Sequence, residues 1–163
     1  MFKHRVEAGR LLAARLAPWA GQPAVVVALP RGGVPVGYEI ARALRVPLDI
    51  LVVRKIGAPQ HREYGLGAVA EGGVRFVDED NVRDVGASDA AVAAIVQREE
   101  REVARRVARW RGAAAAVPLE DQIAIVVDDG VATGGTVRAA LVAMRARHPR
   151  KIVLAVPVAS SDT

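Results

Sequence analysis

The sequence predicts an α/β fold in which a mostly parallel central sheet carries helices on both faces. Apolar runs rich in β-branched residues recur along the 163-residue chain, at 24–29, 48–53, 123–127 and 152–158. Segments with helical spacing lie between several of these runs, at 34–44, 88–111 and 136–147. Continuously apolar strands that alternate with helices are typical of a parallel sheet buried on both sides.

The length and composition predict a single domain over residues 1–163. A chain of 163 residues with 52% hydrophobic content can bury a sizeable core but has no room for a second full domain. Neither an internal repeat nor a segment with the composition of a linker interrupts it. The first segment, 7–16, repeats Ala and Leu at helical spacing, which predicts a helix packed on the edge of the sheet.

One segment, 57–78, interrupts the alternation of strands and helices after the second core strand. Its first part is polar and contains glycine, which predicts a flexible loop, and Gly72-Gly73 then predicts a tight hairpin turn between LGAVAE and VRFVD. The long helix that follows begins at Ser88, a residue suited to an N-cap, and is expected to end in the alanine run before Pro118.

Composition excludes several function classes. The chain has no cysteine, which rules out disulfides, zinc-thiolate sites and thiol nucleophiles, and three scattered histidines argue against a dedicated metal cage. No apolar run reaches the roughly 18 residues that a membrane span needs, and the N-terminus lacks the apolar core of a secretion signal. We therefore expect a cytoplasmic protein with no membrane partner.

The net charge of +5 does not by itself predict a nucleic-acid partner. Aromatic residues make up only 4% of the chain, and much of its arginine lies in QREEREVARRVARWR at 97–111, where acids are interleaved. That pattern is typical of a solvated helix face, so nucleic acid is not the partner we expect.

The strongest chemical pattern is VVDDGVATGGTV at 126–137, directly after the third apolar run. Two acids, Asp128 and Asp129, end the predicted strand. The loop that follows consists of Gly130, Val131, Ala132, Thr133, Gly134, Gly135 and Thr136. Glycines allow backbone N–H groups to approach an anion, the threonines add hydroxyl donors, and the next helix begins with unsatisfied N–H groups. The loop therefore predicts a phosphate site.

The two acids suggest what the phosphate is attached to. Carboxylates beside a phosphate would repel it unless they face another group, and sugar hydroxyls are suitable because they donate strong hydrogen bonds to carboxylates. The negative charge would also favour positive charge that develops on the sugar ring. A sugar phosphate satisfies both halves of the segment. The alternative is that Asp128 and Asp129 only end a strand and that the loop only caps a helix.

This segment resembles the phosphoribosyl-diphosphate signature of the type I phosphoribosyltransferases, in which a short apolar run precedes two adjacent acids and a loop of Thr and Gly. The resemblance implies a Rossmann-like fold of that family. It also implies that Asp128 and Asp129 are catalytic and contact the ribose 2- and 3-hydroxyls. The loop from Gly130 through Thr136 would then bind substrate, with Ala132 to Thr136 around the 5-phosphate.

A second strand end supports the same interpretation. After AVVVAL the chain continues PRGGVPVGYEIARAL, in which Arg31, Gly32 and Gly33 form a turn into a helix. A forked cation and exposed N–H groups suit a diphosphate, and the resemblance implies that this turn holds the pyrophosphate, often through a strained non-proline peptide bond. The alternative is an ordinary turn whose arginine is solvated.

A third strand end carries the basic pair Arg54 and Lys55, just before the flexible loop. A basic pair that moves over a bound diphosphate would neutralise charge as the leaving group departs and would help to exclude water. The resemblance implies that Lys55 is catalytic and that Arg54 binds substrate. The alternative is a solvated strand end.

Together these patterns predict a phosphoribosyltransferase that moves the 5-phosphoribosyl group from phosphoribosyl diphosphate to a nitrogenous base and releases pyrophosphate, as in purine or pyrimidine salvage. Mg²⁺ is the expected cofactor, held by the substrate rather than by a protein cage, with Asp128 and Asp129 as the only candidate protein ligands. A homodimer is the expected assembly.

In the family, residues after the last core strand help to select the base. The chain stops directly after such a strand, which leaves open that it is truncated, and Phe2 and Arg5 are the main material for a base-covering hood.

Two other functions are compatible with the same residues. One is a regulatory module that uses the same loop to bind phosphoribosyl diphosphate or a nucleotide and has no transferase activity. The other is a phosphatase or hydrolase acting on sugar phosphates, which is disfavoured because no nucleophile–base pair is visible.

Overall fold

The computed structural model describes residues 2–132 and 134–160 and confirms the α/β class. The chain forms two compact units. The first comes from the described parts of Met1–Leu51, Ala115–Gly134 and Met144–Thr163, and the second from Val52–Ala114 and Gly135–Ala143. The elements in chain order are α1 (Arg5–Arg15), β1 (Ala24–Ala28), α2 (Gly33–Leu44), β2 (Leu48–Ile50), β3 (Val53–Gly57), β4 (Gly65–Ala70), β5 (Val74–Val77), α3 (Glu79–Asp84), α4 (Asp89–Arg111), β6 (Ile123–Val127), α5 (Gly135–Arg145) and β7 (Lys151–Ala155).

The first unit is built on a parallel four-stranded sheet with the order β2-β1-β6-β7. Every residue of β1 and β6 is buried, which is why both strands read as continuous apolar runs in the sequence. In the register of these two strands Ala28 lies opposite Val127, so their carboxyl ends are side by side. This alignment brings the segments that follow them to one edge of the sheet.

The first helix packs mainly on α2. Its Ala13 also belongs to the buried cluster that contains residues of β1 and β6. The contact is close because Gly9 has no side chain: a Cβ there would lie 2.8 Å from the carbonyl oxygen of Val36 and 2.9 Å from the Cβ of Glu39. Glu39 is buried and accepts hydrogen bonds from Arg10 at 3.0 Å and Arg42 at 2.8 Å. A pattern of Ala and Leu identifies the helix but not the surface that it covers.

The second unit contains a three-stranded antiparallel sheet with the order β3-β4-β5. The predicted hairpin is confirmed as β4 and β5, joined by a 3-10 turn at Glu71–Gly73 in which Gly72 and Gly73 have φ of 81° and 75°. Conformations of this kind favour glycine.

The prediction of one strand at 48–53 is wrong, because the chain leaves the parallel sheet in the middle of this run. The N–H of Leu51 still donates to Ala28 at 3.0 Å, whereas the carbonyl of Val52 accepts from Glu71 at 3.0 Å. Apart from Asp49 the run is apolar, because Leu51 and Val52 are buried like the strand residues on either side of them.

The predicted cap of the long helix is confirmed, since the Ser88 side chain accepts from the N–H of Ala91. The helix ends at Arg111, as the helical spacing over 88–111 predicts and before the alanine run in which it was also expected to end, because Gly112 adopts φ 61° and its N–H donates to Ala108. The alanine run therefore lies outside the helix. None of the helices in the described ranges is long and apolar enough to cross a lipid bilayer.

Candidate functional site

In the first unit, the turn after β1 lies directly against the two acids that follow β6. The N–H of Leu29 donates to the carbonyl of Val127 at 2.8 Å, which fastens the two strand ends together. Gly32 lies so close to the carboxylate of Asp129 that a Cβ there would overlap it, and a Cβ on Gly33 would lie 3.0 Å from the Cα of Asp128. Two of the three predicted junctions are thus brought together.

Within this turn, Arg31 is the group open to an anion. Its side chain is exposed, and no described carboxylate lies within ion-pair distance of it. The peptide bond from Pro30 to Arg31 is cis. The N–H of Gly33 donates to the carbonyl of Leu29 at 3.0 Å, so that donor is already engaged by the turn itself.

Asp128 is half-buried at the end of β6 and accepts a hydrogen bond from the N–H of Asp129 at 2.9 Å. Burial raises the pKa of its carboxyl to about 6, and the neighbouring charge of Asp129 acts in the same direction, although the hydrogen bond from the Asp129 N–H opposes both. Asp128 is therefore mostly ionised at neutral pH and takes up a proton under mildly acidic conditions.

Asp129 has a partner that the sequence did not predict. The guanidinium of Arg5, at the first position of α1, donates to its Oδ2 from Nε at 2.8 Å and from Nη2 at 2.6 Å. The side chains are 59% and 31% exposed, so the pair faces solvent. The sequence offers Arg5 as material for a hood but carries no signal of this pairing, because the two residues lie 124 positions apart.

The loop after the acids is fastened to the segment that follows β7. The N–H of Val131 donates to Val158 at 2.9 Å, and the N–H of Ser160 donates to Val131 at 2.9 Å. A Cβ on Gly130 would lie 3.7 Å from the carbonyl of Val158, and Gly134 has φ 72°. Ala132 is exposed. The predicted site residue Thr133 lies outside the described residues.

The remaining predicted residues belong to the second unit. Gly135 and Thr136 form the first residues of α5, with Thr136 exposed, as the predicted helix start requires. Arg54 donates from Nε to Glu99 of α4 at 2.9 Å, and Lys55 donates from Nζ to the backbone carbonyl of Glu63 in the β3–β4 loop. The basic pair is thus divided: one member is anchored to a helix and the other to a loop.

The described residues contain no group of three or more His, Cys, Asp or Glu side chains that could hold a metal ion. Asp128 and Asp129 supply two carboxylates at one strand end. Such a pair suits an ion that takes most of its ligands from phosphate oxygens and water, which is the coordination that Mg²⁺ favours.

Comparison with known proteins identifies the class. The chain matches the phosphoribosyl transferase domain over residues 5–163, and it belongs to that family. The predicted resemblance is confirmed.

Three individual proteins show how far the similarity extends. The chain is 46% identical over 162 residues to the Mycobacterium tuberculosis H37Rv protein named "Putative phosphoribosyl transferase Rv0571c". It spans 37% of the length of that relative. It is 40% identical to TT1426 from Thermus thermophilus, whose crystal structure superposes with a TM-score of 0.81 over 99% of this chain and 76% of that one. The purine phosphoribosyltransferase from Pyrococcus horikoshii Ot3 shares the fold, with a TM-score of 0.54, 16% identity, and coverage of 93% of this chain and 70% of that one.

Proposed function

We propose that this chain transfers the 5-phosphoribosyl group of phosphoribosyl diphosphate to a nitrogenous base and releases pyrophosphate. The observation that carries the proposal is the contact of Gly32 with the carboxylate of Asp129 in a chain of this family. The contact joins an open cation, Arg31, to two carboxylates at neighbouring strand ends. A ligand with an anionic group and a set of hydroxyls fits that combination.

In the proposed reaction the bond from the anomeric carbon to the diphosphate breaks and its electron pair leaves with pyrophosphate. A lone pair on the base nitrogen forms the new bond at the same carbon, and the proton displaced from the base passes to solvent. No covalent bond to the protein is required. The protein contributes by holding the reactants in line and by stabilising the charge that separates between them.

Each predicted residue has a role in this proposal. Asp128 and Asp129 accept hydrogen bonds from the ribose hydroxyls, and their charge favours oxocarbenium character in the ring. Arg31, with the turn at Gly32 and Gly33, binds the diphosphate. The loop 130–136 binds substrate, with 132–136 around the 5-phosphate.

The basic pair after the second apolar run keeps the roles that the sequence predicts for it. We assign Lys55 to charge neutralisation on the departing diphosphate, because a cation is most valuable where charge accumulates in the transition state. Arg54 stays a predicted substrate ligand, although its hydrogen bond to Glu99 supports a structural role as well.

A magnesium ion belongs to the proposal as a partner of the substrate. Asp128 and Asp129 would hold it, because Mg²⁺ combines one or two carboxylates with substrate phosphates and retained water. When bound, the ion would neutralise part of the negative charge of the diphosphate. A cytoplasmic location and a homodimer stay predictions of the sequence.

The direct test is pyrophosphate release from phosphoribosyl diphosphate and Mg²⁺ in the presence of single bases: adenine, guanine, hypoxanthine, xanthine and uracil. Release that depends on one of the bases supports transfer. Release without any base would indicate hydrolysis instead. The whole panel failing to stimulate release, while phosphoribosyl diphosphate still binds, would contradict the transferase assignment.

The second candidate is a sensor that binds phosphoribosyl diphosphate with the same residues and transfers nothing. In either candidate a ribose hydroxyl would share the carboxylate of Asp129 with Arg5 or displace Arg5 from it. Binding without base-dependent release would select this candidate.

A further inference from the structure

Asn81 of α3 holds the residues at which β4 begins. Its side-chain Nδ2 donates to the carbonyl of Gly65 at 2.9 Å, and its Oδ1 accepts from the hydroxyl of Tyr64 at 3.3 Å. Asn81 is half-buried, and both polar atoms of its side chain are engaged in these two bonds. Because an amide donates and accepts at the same time, one side chain fixes two neighbouring residues. All three residues belong to the second unit.

Asn81 is itself fixed by the cap of α3. Its N–H donates to Oδ1 of Asp78 at 3.2 Å, and the N–H of Asp78 donates to the carbonyl of Leu66 at 2.8 Å. The carbonyls of Gly65 and Leu66, which are successive in β4, therefore accept hydrogen bonds from Asn81 and Asp78. Since an N-cap fixes the first turn of its helix, the amide of Asn81 is held in place relative to β4.

Lys55 contacts the same stretch of backbone. Its Nζ donates to the carbonyl of Glu63, and a Cβ on Gly65 would lie 3.2 Å from Cε of the lysine. The lysine stem therefore runs close to Gly65, in the pairing of β3 with β4. The position of the ammonium group depends on the backbone at 63–65, two residues of which Asn81 holds.

Tyr64 attaches the segment between β3 and β4 to α3. The N–H of Ala58 donates to the carbonyl of Tyr64 at 2.9 Å, and the N–H of Tyr64 donates to the carbonyl of His61 at 2.8 Å. Both of these bonds end at the residue whose hydroxyl binds Asn81. Because Glu63 directly precedes Tyr64 in the chain, a change in the amide of Asn81 shifts the carbonyl that binds Lys55.

We propose that Asn81 is a positioning residue that holds the ammonium group of Lys55 ready for the departing diphosphate. This inference rests on the proposed function, in which Lys55 neutralises the charge of that leaving group. Asn81 itself touches no substrate and acts by fixing the backbone around the carbonyl of Glu63. A cation stabilises a transition state most when its position is set before the charge develops. Loss of the amide should therefore lower the rate of transfer more than the affinity for phosphoribosyl diphosphate.

A double-mutant cycle tests whether Asn81 acts through Lys55. N81A alone should slow base-dependent pyrophosphate release about fivefold or more, while the KM for phosphoribosyl diphosphate changes by less than about twofold. In a chain that already carries K55A, N81A should slow release by less than about twofold, because the group that Asn81 positions is gone. The matched control is D84A, which removes an exposed side chain of the same helix and should leave both the rate and the KM unchanged.

Chemical labelling measures the position of Lys55 without any turnover. The chain contains three lysines, Lys3, Lys55 and Lys151, so acetylation by trace acetic anhydride can be followed at each of them by mass spectrometry. N81A should raise the labelling rate of Lys55 relative to Lys3 about threefold or more, because a lysine that loses its hydrogen-bond acceptor is freer to react. D84A should leave this ratio unchanged.

Either of two results would overturn the proposal. One is that N81A slows the K55A chain as much as it slows the wild-type chain, and the other is that N81A leaves the labelling of Lys55 relative to Lys3 unchanged. If N81A does not fold, N81D takes its place, because it keeps the acceptor for Tyr64 and loses only the donor to Gly65. Failure of the wild-type chain to release pyrophosphate with any base would contradict the proposed function instead, and the labelling would still decide whether Asn81 positions Lys55.

Discussion

Arg5 and Asp129 form a two-pronged ion pair in which Nε and Nη2 of the guanidinium both donate to one carboxylate oxygen, Oδ2, at 2.8 and 2.6 Å. The pair joins the start of α1 to the acid after β6, two points far apart in the chain. A ribose hydroxyl that binds Asp129 must either share this carboxylate with Arg5 or displace it. The N-terminal helix is therefore connected to the proposed sugar site through one side chain.

Replacing Arg5 tests whether this pair competes with substrate. We expect R5Q to bind phosphoribosyl diphosphate about two- to fivefold more tightly, because an exposed ion pair contributes up to about 1 kcal/mol. R15A, which removes an exposed arginine from the other end of the same helix, should leave the affinity unchanged. Calorimetry in the presence of Mg²⁺ measures both. Weaker binding by R5Q would mean that Arg5 assists the substrate instead.

The acids themselves are tested by replacing both with their amides. The D128N/D129N chain should lose at least about a hundredfold in transfer rate or in affinity for phosphoribosyl diphosphate, because amides accept hydrogen bonds more weakly and carry no charge to stabilise the ring. D121N is the matched control, since Asp121 is exposed and precedes β6 rather than following it. Thermal unfolding should show that both chains remain folded. Unchanged binding and turnover in D128N/D129N would remove the acids from the site.

Gly32 tests the contact between the two strand ends. G32A places a methyl group where the carboxylate of Asp129 lies, and we expect it to destabilise the protein by about 1–3 kcal/mol. G32A should also weaken the binding of phosphoribosyl diphosphate. G135A is the stability control, because a Cβ on Gly135 meets nothing within 4 Å. Urea denaturation compares the two, and equal midpoints would show that the Asp129 side chain moves aside without cost.

The raised pKa of Asp128 predicts opposite pH dependences for stability and binding. Since its pKa rises from 3.8 when unfolded to about 6 when folded, its favourable contribution to stability is complete below pH 3.8 and is lost as the pH rises through 6. Ribose binding needs the ionised form, so affinity should fall as the pH drops below about 6. Urea denaturation and calorimetry at pH 5 and pH 7.5 measure the two effects. In D128N the difference in unfolding free energy between pH 5 and pH 7.5 should shrink. If D128N and wild type show the same difference, another group is responsible for the titration.

Lys55 is predicted to act on the rate more than on binding. K55A should slow transfer about tenfold or more while weakening ground-state affinity by no more than about threefold, because the charge that the lysine neutralises develops as the diphosphate departs. K3A is the matched control, since Lys3 is exposed near the N-terminus. Single-turnover kinetics separate the two quantities. A parallel loss of rate and affinity would assign Lys55 to substrate binding alone.

Local patterns predicted the parts of this protein that depend on neighbouring residues. The buried strands, the glycine hairpin at Gly72 and Gly73, the Ser88 cap and the two acids at the end of β6 all follow from signals within a few positions. Family membership followed from a single twelve-residue segment.

The remaining features depend on residues that only the folded chain brings together. The pairing of Arg5 with Asp129 and the anchoring of Arg54 by Glu99 join side chains 124 and 45 positions apart. The split of the run at 48–53 escaped prediction because burial makes both halves apolar, whichever sheet they join. Periodicity reports burial but not the identity of the partner.

Two backbone hydrogen bonds join Val131 to the strand-like stretch at 158–160, so that stretch restrains the loop beside the acids. We therefore expect substitutions at Val158 or Ala159 to alter affinity for the proposed ligand, although neither residue is a predicted ligand contact. Variants of Val158 and Ala159 should therefore be screened for ligand affinity before they are screened for melting temperature.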